Sequence, residues 1–297
     1  GINPEDEGLE DAYSSGITSI IVTPGSENVF GGQSVAIKTY GKVIDKMVLR
    51  QPAGIKIALG ENPIKKYLSK NRPPSTRMTI AGILRENIIK AQNYQAKLKH
   101  GGGERDLRME ALVMVLEGAV PLRAHAHAAE DIMTAIRIAD EFKLNLTIEH
   151  ATSAHKIANE LAERDIPAIV GPSITARVKL ELKDRTYQTP FILNQAGVKI
   201  ALATDHPFLP IGSLRLEAGL AIREGLPTAT ALRAITLNAA EIIGISNRVG
   251  SIAAGKDADL AVFSGDPFAI ASKIEMVLIN GQIVYSAKKR TGHCSSI

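Results

Sequence analysis

Tryptophan is absent from this sequence and aromatic residues make up only 4% of it. Proteins that hold single-stranded nucleic acid stack its bases on aromatic side chains, so the scarcity argues against a nucleic-acid partner. Cys294 is the only cysteine. An internal disulfide is therefore excluded, and the usage suits a reducing, cytoplasmic setting. No apolar run reaches the roughly 18 residues of a membrane span, so no membrane partner is expected. The opening stretch GINPEDEGLEDA lacks the basic and apolar blocks of a signal peptide. Neither sign of charge dominates: 35 Lys and Arg stand against 31 Asp and Glu, for a net +4. The densest basic run, Lys288, Lys289 and Arg290, reads as a solvated tail.

What is present is a hydrophobic share of 45% in 297 residues, enough for one large domain with a smaller companion. Branched apolar runs alternate with helical patterns. Strands are expected over 17–23, 34–38, 54–59, 120–126, 144–150, 166–171 and 198–204. Helices are expected over 80–99, 104–117, 129–142, 154–164, 189–196, 214–224 and 228–243. The Pro- and Arg-containing segment 64–79 reads as a long loop. Unbroken apolar strands between helices imply a mostly parallel sheet covered by helices. An open doubly wound sheet and a closed barrel both satisfy the pattern, and seven strands are one short of a closed eight. The character changes at Asn247. Short strands at 257–263, 274–279 and 282–285 follow, the last two joined by the hairpin signal Asn280–Gly281. The domains read as 1–246, the large α/β unit, and 247–297, a small β unit with the C-terminal tail.

Several polar residues stand at the ends of the apolar strands: Glu61, His125, His150 and Asp205. In a barrel, strand ends on one face share a mouth, so residues distant in sequence meet there. Imidazole and carboxylate groups are natural ligands of zinc and similar ions. Such an ion activates water near neutral pH, and a carboxylate then carries the proton to the leaving nitrogen. Each residue also has a plainer reading, His150 as a helix cap and Asp205 as a turn former. Their shared placement favours His125, His150 and Asp205 as metal ligands, with Glu61 a bridging candidate and Asp205 also the proton carrier. His127, His206 and Arg177 read as substrate contacts, Arg177 through its planar fork. Lys56 lies well before the end of its strand and is a weaker bridging candidate. His155 reads as a surface residue of the helix after His150. TPGSENVFGG (23–32) is either a tight strand connection or a wall of the substrate mouth, and it matches neither common nucleotide-binding fingerprint.

With these residues in place, the chain resembles the amidohydrolase superfamily, and within it the imidazolonepropionase-like and prolidase-like branch. His125 in RAHAHA resembles the fifth-strand histidine, His150 in IEHA the sixth-strand histidine, and Asp205 in ATDHP the eighth-strand aspartate. The tail VGSIAAGKDADLAVFSGDP is similar to the close of the superfamily's small β domain. The resemblance implies a (β/α)8 TIM-like barrel beside a β-sandwich. It also implies one or two divalent ions, zinc first, with iron, manganese or nickel as alternatives. The implied reaction hydrolyses an amide, lactam or dipeptide C–N bond of a small molecule, with Glu61 as the match to the fourth-strand bridging group. The family's first-strand HxH is not found before residue 125, and ITSIIVT counts as the second strand. The expectation is therefore a barrel missing its first strand, with the C-terminal part of the sandwich. A chain of this kind would associate with the missing N-terminal segment or form a homo-oligomer. The alternatives are a non-catalytic barrel scaffold and a deaminase of a nitrogen-containing ring.

Overall fold

The computed structural model describes residues 1–102 and 104–287. Cys294 and the basic run 288–290 lie outside the described residues. Helix α1 (Glu7–Ser14) begins where the Asp6 side chain accepts from Gly8 N, an acidic N-cap. Strands β1 (Ser19–Val22) and β2 (Phe30–Lys38) pair antiparallel, Ser19 opposite Lys38 and Val22 opposite Val35. No helix lies between them. A parallel pair needs a crossover of a dozen or more residues, so the short stretch 23–29 allows only the antiparallel arrangement. This pair is an antiparallel exception in a sheet expected to be mostly parallel.

After α2 (Ile44–Met47) and β3 (Val48–Ala58) comes α3 (Glu61–Leu68), where a loop was expected. Pro63, just ahead of the expected loop, stands in the first turn of α3, where its missing N–H has no intrahelical partner. Helices α4 (Arg77–Lys99) and α5 (Leu107–Leu116) are capped by the side chains of Thr76 and Asp106. The chain then alternates: β4 (Leu122–Ala126), α6 (Ala129–Phe142), β5 (Leu146–His150), α7 (Ala158–Ala162), β6 (Ala168–Val170), α8 (Thr189–Gln195), β7 (Ile200–Leu202). Helices α9 (Leu214–Arg223), α10 (Thr228–Ala234) and α11 (Leu237–Ile243) follow. The single helix expected over 228–243 is broken at Thr236, whose backbone leaves helical dihedrals while its hydroxyl bonds Leu232 O.

Seven strands are hydrogen-bonded in sequence order, β1 to β7, with β3 to β6 parallel. This is the sheet of a TIM-like barrel without its first strand. A separate antiparallel sheet has the order β10 (Gln282–Ser286), β9 (Ile274–Ile279), β8 (Leu260–Phe263). Asn280 and Gly281 both take positive φ, 52° and 75°, as the β9–β10 hairpin turn requires. Among the described residues, no helix is long and apolar enough to cross a membrane.

The chain groups into two units. One comprises Gly1–Val22, Val35–Gln51 and the residues from Ala201 onward; the other comprises Thr23–Ser34 and Pro52–Ile200. In the first, Leu9, Ile37 and Met47 form a buried cluster, and Ile274, Val277 and Ile279 form another. In the second, strand register sorts the side chains by face. Ile55, Leu122 and Leu146 are aligned, as are Lys56, Arg123 and Thr147, then Ala58, His125 and Glu149. Successive strand residues point to opposite faces. One face is thus apolar and the other carries Lys56, Arg123, His125 and Glu149, and all of them are buried.

Candidate metal centre

The polar face of the second unit has a charged floor. Glu149 accepts from Arg123 Nε at 2.8 Å through Oε1 and from Lys56 Nζ through Oε2. Burial pushes the Glu149 carboxyl upward, but Arg123 and Lys56 outweigh it and hold its pKa at about 2. Lys56, expected to be marginal, is a structural partner of this pair.

At the strand ends, His125, His127 and His150 converge. One ring nitrogen from each lies within 4.8 Å of the others, and all three residues are buried. Ring centroids are 4.7 Å apart for His125–His127, 4.3 Å for His125–His150 and 4.7 Å for His127–His150. Strand alternation brings His125 to the polar face. His150 pairs with Ala126 in register and by alternation belongs to the opposite face. It joins the cluster because the backbone turns there: His150 and Ala151 have φ of 70° and 49°. Two successive left-handed non-glycine residues store strain of the kind that collects at functional sites. His127 lies just past β4, where its carbonyl accepts from Ser153 N at 2.8 Å.

Each imidazole is anchored through Nδ1. His125 Nδ1 bonds Ser26 Oγ at 2.8 Å, His127 Nδ1 bonds Thr152 Oγ1 at 2.8 Å, and His150 Nδ1 donates to Gly171 O at 2.9 Å. Such partners hold the ring orientations, and the Gly171 carbonyl also sets the His150 tautomer, which makes Nε2 its ligating nitrogen. Burial drives the His125 pKa well down and that of His127 to about 2, with neighbouring histidines adding to the effect. Neutral imidazoles are the form that ligates. The three-histidine cluster is suited to a divalent cation.

Its surroundings are polar and ordered. Asn62 Nδ2 donates to His125 Nε2 at 3.2 Å, while Asn62 Oδ1 accepts from Lys179 Nζ at 2.5 Å. Asn62 also lines a cleft of about 450 Å³ with Glu27, Lys65, Lys66 and Ser69. Lys65 and Lys66 are paired there with Glu61 and Glu27.

The other sequence-derived candidates sit differently. Glu61 Oε1 accepts from Glu181 N at 3.0 Å and its Oε2 contacts Lys65 Nζ at 2.5 Å, so it pins a loop to the start of α3. Arg177 is exposed and donates to Arg185 O at 3.4 Å. Asp205 and His206 belong to the other unit, where both are exposed and Asp205 has φ 53°. His155 is half-buried against Thr189 Oγ1 rather than on a helix surface. The sequence reading missed Asn62, Thr152, Lys179 and Glu181, which carry no local motif. His127 was read as a substrate contact, and it is the third member of the cluster.

Residues 9–285 match the model of the amidohydrolase family. The crystal structure of an amidohydrolase from Thermotoga maritima MSB8 is similar at a TM-score of 0.93 and 46% identity, covering 96% of this chain and 76% of that one. The amidohydrolase tasK of Hapsidospora irregularis is 28% identical over 310 residues, which is 95% of this chain and 32% of tasK. An imidazolonepropionase of Geobacillus thermodenitrificans is 40% identical over 102 residues, 31% of this chain and 24% of that enzyme. The chain therefore spans about a third or less of the length of these two curated relatives. With a family match across nearly its whole length, a fold shared with the Thermotoga protein and a three-histidine cluster at the strand ends, the chain belongs to the amidohydrolase family.

Proposed function

We propose that this chain carries the metal centre of a hydrolase acting on a C–N bond of a small amide, lactam or dipeptide. The observation that carries the reading is the set of three buried imidazoles with every Nδ1 held by a protein partner. His125, His127 and His150 would hold the ion, zinc first by donor chemistry, with iron, manganese or nickel as alternatives. A bound divalent ion supplies Lewis acidity and a water acidic enough to react at neutral pH. Ser26, Thr152 and the Gly171 carbonyl orient the ligands. Asn62 and Lys179 line the approach to His125. The proton transfers are assigned to Asp205, and polar contacts with substrate to His206 and Arg177. The imidazolonepropionase-like reading is supported by the 40% identical stretch of 102 residues. Residues 1–246 would form the hydrolase barrel and 247–297 the β-sandwich portion.

Elemental analysis of the purified protein should find divalent metal bound. Asp205→Asn should keep the fold by circular dichroism and lose turnover on a panel of amides, lactams and dipeptides by roughly a hundredfold or more. A protein that takes up no divalent ion under any loading condition would refute the reading.

A further inference from the structure

Glu181 stands in a short 3₁₀ turn, Leu180–Leu182, in the loop after β6. Its side chain is 0% exposed. One carboxylate oxygen is fixed: Oε2 accepts from Glu61 N at 2.8 Å, while Glu181 N donates to Glu61 Oε1 at 3.0 Å. Gly60 makes room for this, since a Cβ there would stand 2.5 Å from Oε2. The other oxygen, Oε1, is buried without a hydrogen-bond partner among the described residues. It lies 3.9 Å from His127 Nε2 and 3.7 Å from Lys179 Nζ. A buried carboxylate oxygen left unbonded is costly, so this one has a ligand to find.

Charge identifies that ligand. Imidazoles bring no negative charge to a divalent cation, and Lys179 Nζ, bonded to Asn62 Oδ1 beside His125, adds positive charge. Glu149 is committed to Arg123 and Lys56. A buried cation without a counter-charge pays a large desolvation penalty. Metal–nitrogen and metal–oxygen bonds of roughly 2.0–2.2 Å each span the observed separation. We infer that Glu181 is the anionic ligand of the centre, with Oε1 joining the three imidazoles when the ion is bound. This rests on the reading of His125, His127 and His150 as a metal site and adds a donor that neither the sequence pattern nor that reading contains.

The test is titration of the metal-free chain with Co²⁺, followed by visible absorption, for wild type and Glu181→Gln. Glutamine keeps an oxygen for Glu61 N, so melting of the metal-free proteins should coincide. The variant should bind Co²⁺ at least about tenfold more weakly and with an altered d–d spectrum. Equal affinity with an unchanged spectrum would overturn the inference while leaving the three-histidine centre intact. Failure of wild type to bind Co²⁺ would instead remove the centre itself, and the role of Glu181 with it. If the variant does not fold, a zinc-loaded wild-type crystal structure decides. Oε1 within roughly 2.2 Å of zinc supports the assignment, and a water bridging Oε1 to Lys179 and His127, with the carboxylate away from the ion, defeats it.

Discussion

At His150 the backbone enters the left-handed region and carries the ring to the face it would otherwise turn away from. The residue before it, Glu149, balances two buried cations. Arg123 is fully buried, and its two terminal amino groups have no hydrogen-bond partner among the described residues. The Glu149 carboxylate is therefore what compensates the guanidinium. Glu149→Gln strands both Arg123 and Lys56 without a counter-charge. Removing one member of a buried pair costs on the order of 3–5 kcal/mol. Urea denaturation should show a loss of that size with an unchanged m-value. A change below about 1 kcal/mol would mean that the pair is hydrated like a surface bridge.

Between elements, the DAD segment of the C-terminal motif, residues 257–259, has a structural role. Lys38 at the end of β2 reaches Asp257 at 2.9 Å and Asp259 at 2.5 Å, the residues that lead into β8. Arg248 also bonds Asp257 at 2.8 Å. Burial pushes the Asp257 carboxyl upward, yet Lys38 and Arg248 outweigh it, so its pKa falls below the ordinary 3.8. A lowered folded-state pKa stabilises the protein above the unfolded-state value, and that stability disappears as pH falls through the folded-state value. Wild type should therefore exceed Asp257→Asn in stability by a constant margin above about pH 5, with the margin shrinking below the ordinary aspartate pKa. Denaturant unfolding at stepped pH measures it. A margin independent of pH down to acid unfolding would show that the ion pairs contribute nothing.

For the whole molecule, an ion that binds the folded state alone stabilises it by mass action. At free zinc a hundred times Kd, the gain is about 2.7 kcal/mol. Zinc loading should raise the melting temperature in calorimetry, and a chelator should return it to the metal-free value. Identical melting with and without zinc would show that the histidine cluster does not hold the ion.

Much of the architecture was written locally. Branched apolar runs marked the strands, helical spacing matched α6 residue for residue, and Asn280–Gly281 marked its hairpin. His125 and His150 were legible because they end such runs. Local pattern misled over 64–68, read as the start of a loop and found as the later part of α3. What the tertiary structure alone decided is convergence. Glu61 and Glu181 are 120 residues apart in the chain, and Asn62 and His125 are 63 apart. Lys56 meets Glu149 only through the register of β3, β4 and β5. Propensity and turn chemistry act over a few residues and leave their mark in sequence. Register and loop docking depend on which strands lie side by side, and no short stretch of sequence encodes that.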